Sequence, residues 1–449
     1  MRKDIKAIFI IIILICSVFG FADKAKCAGA VPDETIKPQQ YNILFILIDT
    51  LRPDHLGCYG YARNTSLNID KFAQNSILFT NCYSVCPWTN PTVASIFTGR
   101  YPGAVFEPMG VRRAKYQILP DELETLAEKL QSSGFKTVCL TAHPALNKGV
   151  GYGQGFEEFI ILSNEDHSEV DRKFTKEIFS KELDKVKDSK FFMYVHLMYP
   201  HKPYTPPQPY DTMFITEPGE RTDRQAGDFL NAYDGEIRYT DDLMGDFFGK
   251  MKKEGLLEST YIIITADHGE GFWEHGLTEH GNSLYNELLK VPLIIYPPNG
   301  RTTQPARVTA PVSNIDMFAT VMDMAQIKKP SYAEGMSLLR YFDEKYVSKK
   351  DTLLFSQNPH TNCIHALSCT DGNLKVICDP EKENDLFYDI SSDPDEQKKL
   401  ASPSKEHKKL KQKLMRFKRQ IEKQRKPIAQ NYCKPDKFLA ERLKSLGYL

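Results

Sequence analysis

Nearly continuous apolar runs recur along the first two thirds of the chain, and amphipathic segments separate them. The runs occupy residues 42–49, 136–142, 191–198, 260–267 and 291–298. Strands that are buried on both faces of a sheet have this uniformly apolar composition. Residues 122–134 and 241–255 instead carry apolar side chains at helical spacing, and each segment closes on a glycine. The alternation predicts an α/β fold with a mostly parallel central sheet sandwiched by helices.

The pattern changes near the C-terminal end, where short apolar pieces lie close together around turn residues. These pieces are residues 351–357, 365–378 and 385–391. They predict a small antiparallel sheet. A basic helix is predicted over 405–426, and its spacing favours a solvated helix packed on one apolar stripe over a membrane or partner site. We therefore predict a large domain at 41–340 and a smaller sheet-and-helix subdomain at 345–449.

The first 30 residues differ from the rest of the chain. A basic start is followed by an apolar run from Ala7 to about Ala22, and then by the small residues Ala28, Gly29 and Ala30. This order is typical of an export signal peptide, and it predicts a periplasmic or secreted protein. The alternative is an uncleaved anchor, in which case the protein would contact a membrane.

The composition argues against a nucleic-acid-binding protein and against a structural zinc site. The chain has 449 residues, with 58 Lys and Arg against 58 Asp and Glu, so it lacks the excess positive charge that nucleic-acid binding needs. Eight of the ten cysteines follow residue 30, and export makes disulfides plausible although spacing does not fix their pairing. No CxxC pair is present, which argues against a structural zinc site.

Polar residues stand where three of the predicted strands end. The first strand ends in Asp49 and Thr50, and another ends in Asp267 and His268. Ligands of open α/β sheets bind beyond the carboxyl ends of the strands. Asp49, Asp267 and His268 offer the oxygen and nitrogen atoms that suit a divalent cation such as Ca²⁺, Mn²⁺, Zn²⁺ or Mg²⁺. Each aspartate could instead merely cap the following helix.

Histidines and one threonine complete the candidate chemistry. A third strand carries His196 and runs on to His201, while a glycine-rich loop after His268 contains His275 and His280. In "WTNPTVASIFTG", Pro91 is suited to a first helical residue, which places Thr89 just before the helix start. An anion such as sulfate or phosphate would bind there, beside free backbone donors. The alternative is that Thr89 only caps the helix.

Several motifs in order resemble the sulfatase family of the alkaline phosphatase superfamily. They span Tyr41 to Leu449 and include "NILFILIDTLRPDHLGCYGY", "CYSVCPWTNPTVASIFTGRYP", "YVHLMYPHKPYTPP", "IIITADHGEGFWEHG", "HGNSLYNELLKVPLII" and "FYDISSDPDEQKKLA". The resemblance implies an α/β domain with a small C-terminal antiparallel sheet. It also implies a metal-dependent hydrolase of sulfuric esters.

The chain departs from the family pattern at the nucleophile. Thr89 stands where the family has a cysteine or serine that is converted to formylglycine, and Val93 stands at the usual arginine. Thr50 replaces a second aspartate, His268 replaces an asparagine, and the lysine and histidine of a "GKWHLG" segment are missing from "LTAHPALNKG". The site thus resembles that of the superfamily's phosphoryl-transferring members, which use threonine.

Carried over to this chain, the resemblance assigns roles to eight residues, two of them with weaker claims. Asp49, Asp267 and His268 would bind the metal with Thr89 completing the shell, and Thr50 is a weaker candidate ligand. His201 and His280 match positions that contact the substrate oxyanion or the leaving group, and His196 has the weakest claim. These roles are implied by matching positions in the motifs.

The chemistry suggests a metal-dependent hydrolase of sulfuric or phosphoric esters that forms a covalent ester on Thr89. Its substrate would be a sulfated or phosphorylated small molecule, a glycan or a lipid headgroup. One alternative is a phosphoryl or phospho-headgroup transferase of the same superfamily. The other is a degenerate, non-catalytic protein that binds an anion or a glycan.

Overall fold

The five apolar runs predicted as strands form the centre of one mixed sheet. The computed structural model describes residues 41–106, 116–162, 172–215, 224–300, 307–343, 346, 352–359, 366–379, 385–424 and 432–433. The predicted export signal and the terminal "LKSLGYL" lie outside these residues. Among the described helices, none has the length and apolar character needed to cross a membrane.

The strands and helices of the described residues are numbered in chain order. The strands are β1 Asn42–Ile48, β2 Ile77–Tyr83, β3 Tyr116–Gln117, β4 Lys136–Thr141, β5 Glu158–Ile161, β6 Phe191–Leu197, β7 Thr260–Thr265, β8 Gly271–Phe272, β9 Thr278–Glu279, β10 Lys290–Tyr296, β11 Arg307–Val308, β12 Val312–Ser313, β13 Leu354–Gln357, β14 Leu367–Thr370, β15 Leu374–Cys378, β16 Leu386–Asp389 and β17 Tyr432–Cys433. The helices are α1 Leu67–Ala73, α2 Thr89–Thr98, α3 Pro102–Val105, α4 Leu126–Ser132, α5 Arg172–Val186, α6 Arg224–Lys253, α7 Asn286–Leu289, α8 Asp316–Met324 and α9 Lys405–Gln424.

The order of strands in the main sheet is β11-β2-β10-β7-β1-β6-β4-β5, with β12 also paired to β2. Strands β7, β1, β6, β4 and β5 run parallel, whereas β10 is antiparallel to both of its neighbours. The predicted α/β class with a mostly parallel sheet is confirmed. In the register, Leu47 of β1 lies beside His196 of β6 and Thr265 of β7. The carboxyl ends of these three strands therefore meet at one edge.

The small C-terminal sheet is also confirmed. Its four strands pair antiparallel in the order β13-β14-β15-β16. Helix α9 buries the side chains of His407, Leu410, Leu414, Phe417 and Ile421, whereas its lysines are largely exposed. The expectation of a solvated helix on one apolar stripe is thus met. The described residues from 41 onward belong to one compact unit, and the division near residue 345 stays a prediction.

The C-terminal sheet contacts two loops of the large sheet through its edge strand β13. The Ser356 hydroxyl donates to the Ser84 carbonyl at 2.6 Å, and the Gln357 amide donates to the Val85 carbonyl at 2.8 Å. Just beyond β13, the Asn358 side chain donates to the Gly281 carbonyl at 2.9 Å. The edge of the small sheet therefore holds the segment before Thr89 and the loop that carries His280.

A buried ion pair also links the small C-terminal sheet to helix α7. The Lys375 ammonium on β15 lies 2.7 Å from Glu396 Oε1 and donates to Asn286 Oδ1 at 2.8 Å. Asn286 in turn donates its backbone N–H to Glu396 Oε2 at 2.6 Å. Because a buried charge is stable only when it is paired and hydrogen-bonded, this cluster fixes how the segment around Glu396 packs on α7.

Cysteines in the described residues behave as core side chains. Cys58, Cys82, Cys139, Cys369 and Cys378 are free thiols. Burial raises the pKa of each of them, that of Cys378 to about 12. Thiols that stay protonated are poor nucleophiles and poor metal ligands. These five residues therefore contribute packing to the fold.

Candidate active site

Two adjacent strand ends bring together three potential ligands of a metal ion. Asp49 follows β1, while Asp267 and His268 follow β7, and all three are fully buried. One ligand atom from each residue lies within 4.8 Å of the other two. The parallel pairing of β1 with β7 produces this convergence, because it places the two carboxyl ends side by side.

The imidazole of His268 is oriented as a metal ligand. Its Nδ1 lies 2.8 Å from the Gly269 carbonyl, so Nδ1 carries the proton and Nε2 presents a lone pair. That Nε2 lies 3.3 Å from Asp267 Oδ2 and 3.8 Å from Asp49 Oδ1. Neither carboxylate oxygen accepts a hydrogen bond within the described residues. Three acceptors that face one another across the Thr89 hydroxyl fit a cation, and the His268 ring fits too, since a ligating histidine usually donates its other N–H to a carbonyl.

The second oxygen of Asp49 is held by two more histidines. His196 Nε2 lies 3.2 Å from Asp49 Oδ2, and its Nδ1 lies 2.9 Å from the Tyr194 hydroxyl. His143 Nε2 lies 3.8 Å from the same oxygen, and its Nδ1 accepts from the Ala145 amide at 3.2 Å. Both rings therefore direct an N–H towards Oδ2 and leave Oδ1 for the cluster. His196 thus orients the candidate metal ligand Asp49. His143 was not among the site residues predicted from the sequence.

The charges of the cluster are unbalanced in the protein alone. Burial, together with the negative charges of Asp267 and Glu270, raises the pKa of Asp49 well above its ordinary value. Burial also lowers the pKa of His268, which keeps this ring neutral. Two buried carboxylates at close range cannot both ionise cheaply, and a divalent cation would remove that cost.

Thr89 lies against this cluster. Helix α2 begins at Thr89 itself, with Trp88 as the N-cap and Pro91 as the third helical residue, so the helix starts slightly earlier than predicted. The Thr89 hydroxyl is fully buried and lies 3.2 Å from His268 Nε2, to which it donates. The side chain therefore faces the ligand cluster at the N-terminal end of α2, where backbone N–H groups point out of the helix.

A second pair of imidazoles borders the cluster. The ring of His280 is 4.4 Å from that of His268 and 5.0 Å from that of His201, measured between centroids. His280 Nδ1 lies 3.1 Å from Glu270 Oε1, and His201 Nδ1 donates to the Lys202 carbonyl at 2.6 Å. Asp49, Thr89, Asp267, His268, His201 and His280, which were predicted for the site, thus lie close together, whereas His275 does not join them.

The two imidazoles differ in charge. Burial and the nearby His280 lower the pKa of His201 to about 3, so this ring is neutral. Burial opposes protonation of His280 as well, but the charge and hydrogen bond of Glu270 outweigh it and raise the pKa of His280. Burial also acts on Glu270, yet the charge of His280 prevails and lowers its pKa to about 2. His280 and Glu270 therefore form an ion pair beside a neutral His201.

Thr50 and Val93 are uncharged residues at two positions where the sulfatase pattern has an aspartate and an arginine. Thr50 has a left-handed backbone with φ of 53°, and its N–H donates to Asp267 Oδ1 at 3.3 Å. Its hydroxyl has no hydrogen-bond partner in the described ranges. Val93 is buried in the hydrophobic core, so no cation occupies the position of the family's arginine.

His275 serves the fold and lies outside the ligand cluster. Its Nδ1 is 2.8 Å from Glu287 Oε1, and its Nε2 is 3.0 Å from the Glu396 carbonyl. The ring stacks on Tyr285 with centroids 3.7 Å apart. His275 thus joins the loop before His280 to the segment that precedes α9.

Replacing His275 with glutamine is expected to flatten the pH dependence of thermal stability. Burial opposes protonation of His275, but the hydrogen bond and charge of Glu287 outweigh it and raise the pKa. Stability from this group is then complete below the unfolded pKa of about 6.5 and is lost as pH rises through the folded pKa. Melting temperatures at about pH 6 and about pH 9 measure the slope. Glu287→Gln should flatten it too; unchanged slopes in both variants would contradict this role.

His143 and Glu270 belong to the site but were not predicted from the sequence, where little points to either of them. His143 stands two residues beyond β4, at the same edge of the sheet as the other ligands, so its position could have identified it. Glu270 lies within "DHGEG", but its partner His280 comes ten residues later. Only the pairing of β8 with β9 folds that loop back and brings the two together.

Comparison with known proteins gives consistent matches. A family model described as Sulfatase matches residues 41–327, and a model of the N-sulphoglucosamine sulphohydrolase C-terminal region matches residues 273–426. The uncharacterized sulfatase YidJ of Escherichia coli (strain K12) is 25% identical over 360 residues, which cover 66% of this chain and 70% of that protein. The ulvan-active sulfatase of Formosa agariphila is 25% identical over 366 residues, or 73% and 69% of the two chains.

Solved structures share the fold at low sequence identity. BT4656 in complex with its substrate D-glucosamine-2-N,6-O-disulfate superimposes with a TM-score of 0.71 at 18% identity, covering 87% of this chain and 100% of that one. The phosphonate monoester hydrolase of Agrobacterium radiobacter gives a TM-score of 0.69 at 18% identity, with coverages of 85% and 96%. The fold thus occurs both in a protein with a sulfated sugar substrate and in a phosphonate hydrolase.

Proposed function

The chain belongs to the sulfatase family of ester hydrolases, and we propose that it cleaves sulfuric or phosphoric esters with Thr89 as nucleophile and a divalent cation as cofactor. One observation carries the proposal. The Thr89 hydroxyl lies 3.2 Å from His268 Nε2, whose lone pair faces the bare oxygens of Asp49 and Asp267. Nucleophile and metal ligands thus form one buried group.

The cofactor would be held by Asp49, Asp267 and His268, with the Thr89 hydroxyl completing the shell. Carboxylates with one imidazole suit Mn²⁺ or Zn²⁺ as well as Mg²⁺ or Ca²⁺. When bound, the cation supplies positive charge that lowers the pKa of a neighbouring hydroxyl and offsets charge on the ester oxygens. His196 and His143 would keep the carboxylate of Asp49 in its ligating orientation.

Thr89 would attack the sulfur or phosphorus atom of the ester. A bond forms between Thr89 Oγ1 and that atom, and the bond from that atom to the oxygen of the departing alcohol breaks. The hydroxyl proton passes to a base or to solvent. Backbone N–H groups of the first turn of α2 stabilise the non-bridging oxygens.

His280 is the better placed donor of the proton that the leaving alcohol needs. Glu270 holds the His280 ring through Nδ1 and stabilises its charged form, which leaves Nε2–H to donate. His201 stays neutral and presents Nε2 as an acceptor, since its Nδ1 is bonded to the Lys202 carbonyl. The His201 ring would then bind a hydroxyl of the substrate or of the attacking water.

The second half of the reaction distinguishes sulfate from phosphate. A formylglycine hydrate has a second hydroxyl that can expel sulfate, whereas a threonyl ester must be cleared by water attacking sulfur or phosphorus. That attack is easier at phosphorus, so the side chain favours phosphate esters. The similar proteins favour a sulfated glycan, because one of them is an ulvan-active sulfatase and BT4656 binds a disulfated glucosamine as its substrate. We infer a sulfated or phosphorylated glycan as the substrate, met outside the cytoplasm if residues 1–30 act as an export signal.

Mass spectrometry of the acid-quenched enzyme tests the proposal. The metal-loaded protein is mixed with 4-nitrophenyl sulfate or 4-nitrophenyl phosphate and quenched within one turnover. We expect a peptide carrying a sulfo or phospho group on Thr89, which accurate mass distinguishes, and an unmodified peptide without substrate. Turnover with an ester on another residue, or with none on Thr89 at any quench time, would refute the assignment.

A further inference from the structure

An aromatic pocket borders the candidate active site. Trp273 and Phe229 lie at its rim with ring planes within 2° of parallel and centroids 5.8 Å apart. Both side chains are exposed, Trp273 to 36% and Phe229 to 38%. Large aromatic side chains left in contact with water beside a cleft are typical of ligand contacts. Trp273 also has a left-handed backbone with φ of 69°, a costly conformation for a residue with a bulky side chain.

The pocket shares a wall with the catalytic group. Tyr204 lines it and hydrogen-bonds to Glu270, the carboxylate that also accepts from His280 Nδ1. Lys202 and Glu279 line the same pocket and form an ion pair with each other. These two residues directly follow His201 and directly precede His280 in the chain. A group bound against the aromatic rings would therefore contact Tyr204, whose hydroxyl bonds to the Glu270–His280 pair of the candidate active site.

We propose that this pocket binds the sugar ring that carries the ester, with Trp273 and Phe229 as a stacking wall and the pair Lys202–Glu279 as hydrogen-bonding partners. The inference rests on the proposed function and names the substrate of that same site. A pyranose has one apolar face of C–H groups, which matches the exposed ring face of the stacked pair Trp273–Phe229, and an edge of hydroxyls, which the ion pair Lys202–Glu279 can bind.

Its volume and its aromatic lining make this pocket a poor site for a lipid chain or for a free anion. Its volume is about 50 Å³, room for a few water-sized groups, so a ring would lie across the mouth with one substituent inside. A lipid chain would need a deeper apolar channel. A free sulfate or phosphate ion would have no use for the aromatic wall.

Calorimetry with N-acetylglucosamine 6-sulfate tests the pocket without relying on turnover. The metal-loaded full chain carrying Thr89→Ala is titrated, alone and with Trp273→Ala, Trp273→Phe or Phe229→Ala. We expect affinity to fall roughly tenfold with either alanine variant and to be largely restored by phenylalanine at 273. Tyr332→Ala, which removes a surface aromatic next to Arg100 beyond the far end of α2, is the matched control and should bind as the parent does.

Kinetics with wild-type residue 89 separate a sugar site from a general aromatic contact. For Trp273→Ala, KM for the sugar ester should rise roughly tenfold while kcat/KM for 4-nitrophenyl sulfate stays within about threefold. Unchanged sugar affinity in both alanine variants, or equal losses for sugar and nitrophenyl esters, would overturn the pocket assignment. A protein that binds the sugar through Trp273 but hydrolyses no ester would overturn the proposed function alone.

Discussion

Thr89→Ala is expected to lower kcat for sulfate and phosphate esters by about 10⁴-fold or more, since loss of a covalent nucleophile has effects of this order. The hydroxyl is fully buried and bonds to His268 of the ligand cluster. Steady-state assays with both nitrophenyl esters measure the loss. The melting temperature should change little, because the substitution removes one hydroxyl and one methyl group.

Two variants of the same helix serve as controls for this result. Ser95→Ala deletes a buried hydroxyl that lies further along α2 and donates to the Pro91 carbonyl. This variant should keep kcat within about threefold of wild type. Thr89→Ser keeps the hydroxyl and should retain measurable turnover and a covalent ester on residue 89. Metal-dependent turnover in Thr89→Ala at a rate near wild type would remove Thr89 from the chemistry.

Divalent cations are expected to raise the melting temperature of the wild-type protein strongly after treatment with a chelator. A ligand at about 100 times its dissociation constant adds about 2.7 kcal/mol to the free energy of unfolding. Asp267→Asn should abolish this shift, because it removes a charged ligand. The same variant should be less stable than wild type in chelator: burial opposes ionisation of Asp267, but the charges of His268 and His196 outweigh it and lower the pKa of Asp267, so its charge stabilises the fold. Differential scanning calorimetry measures both effects, with Mn²⁺, Zn²⁺, Mg²⁺ and Ca²⁺ tested in turn.

A buried aspartate elsewhere provides the comparison for the metal prediction. Asp241 on α6 is fully buried and accepts from the backbone amides of Asn68 and Ile69. Asp241→Asn should lower stability with and without metal, yet retain the full metal-induced shift. If Asp267→Asn responded to cations as wild type does, the ligand cluster would be wrong. Unchanged or increased stability of Asp267→Asn in chelator would contradict the argument from the lowered pKa of Asp267.

The site could largely be predicted from the sequence because its ligands follow the most apolar strands. β1 is uniformly buried and β7 is buried except at Tyr261, so Asp49 and Asp267 stand out as the polar residues that follow them. The edge strand β5 was missed because its residues are only partly buried and Glu158 interrupts the apolar pattern. β2 was missed because Thr80 and Asn81 break its apolar run.

Helix α6 shows a different limit of pattern analysis. Only residues 241–255 were predicted, whereas the helix begins at Arg224. Its middle part buries Asp234 and Glu236, which read as solvent-facing in a sequence. Both are satisfied by distant residues: Asp234 accepts from Tyr61, and Glu236 accepts from the amide of Thr205. Such partners follow from the tertiary fold and cannot be read from helical periodicity.

The contacts of strand β13 determine when during biosynthesis the catalytic centre becomes complete. A nascent chain that has emerged only as far as α8 already contains every proposed ligand, but it lacks Ser356, Gln357 and Asn358. The loop of His280 and the turn ahead of α2 then have no edge strand to hold them. We therefore expect a chain that ends at α8 to be inactive and to gain activity only when β13 is present.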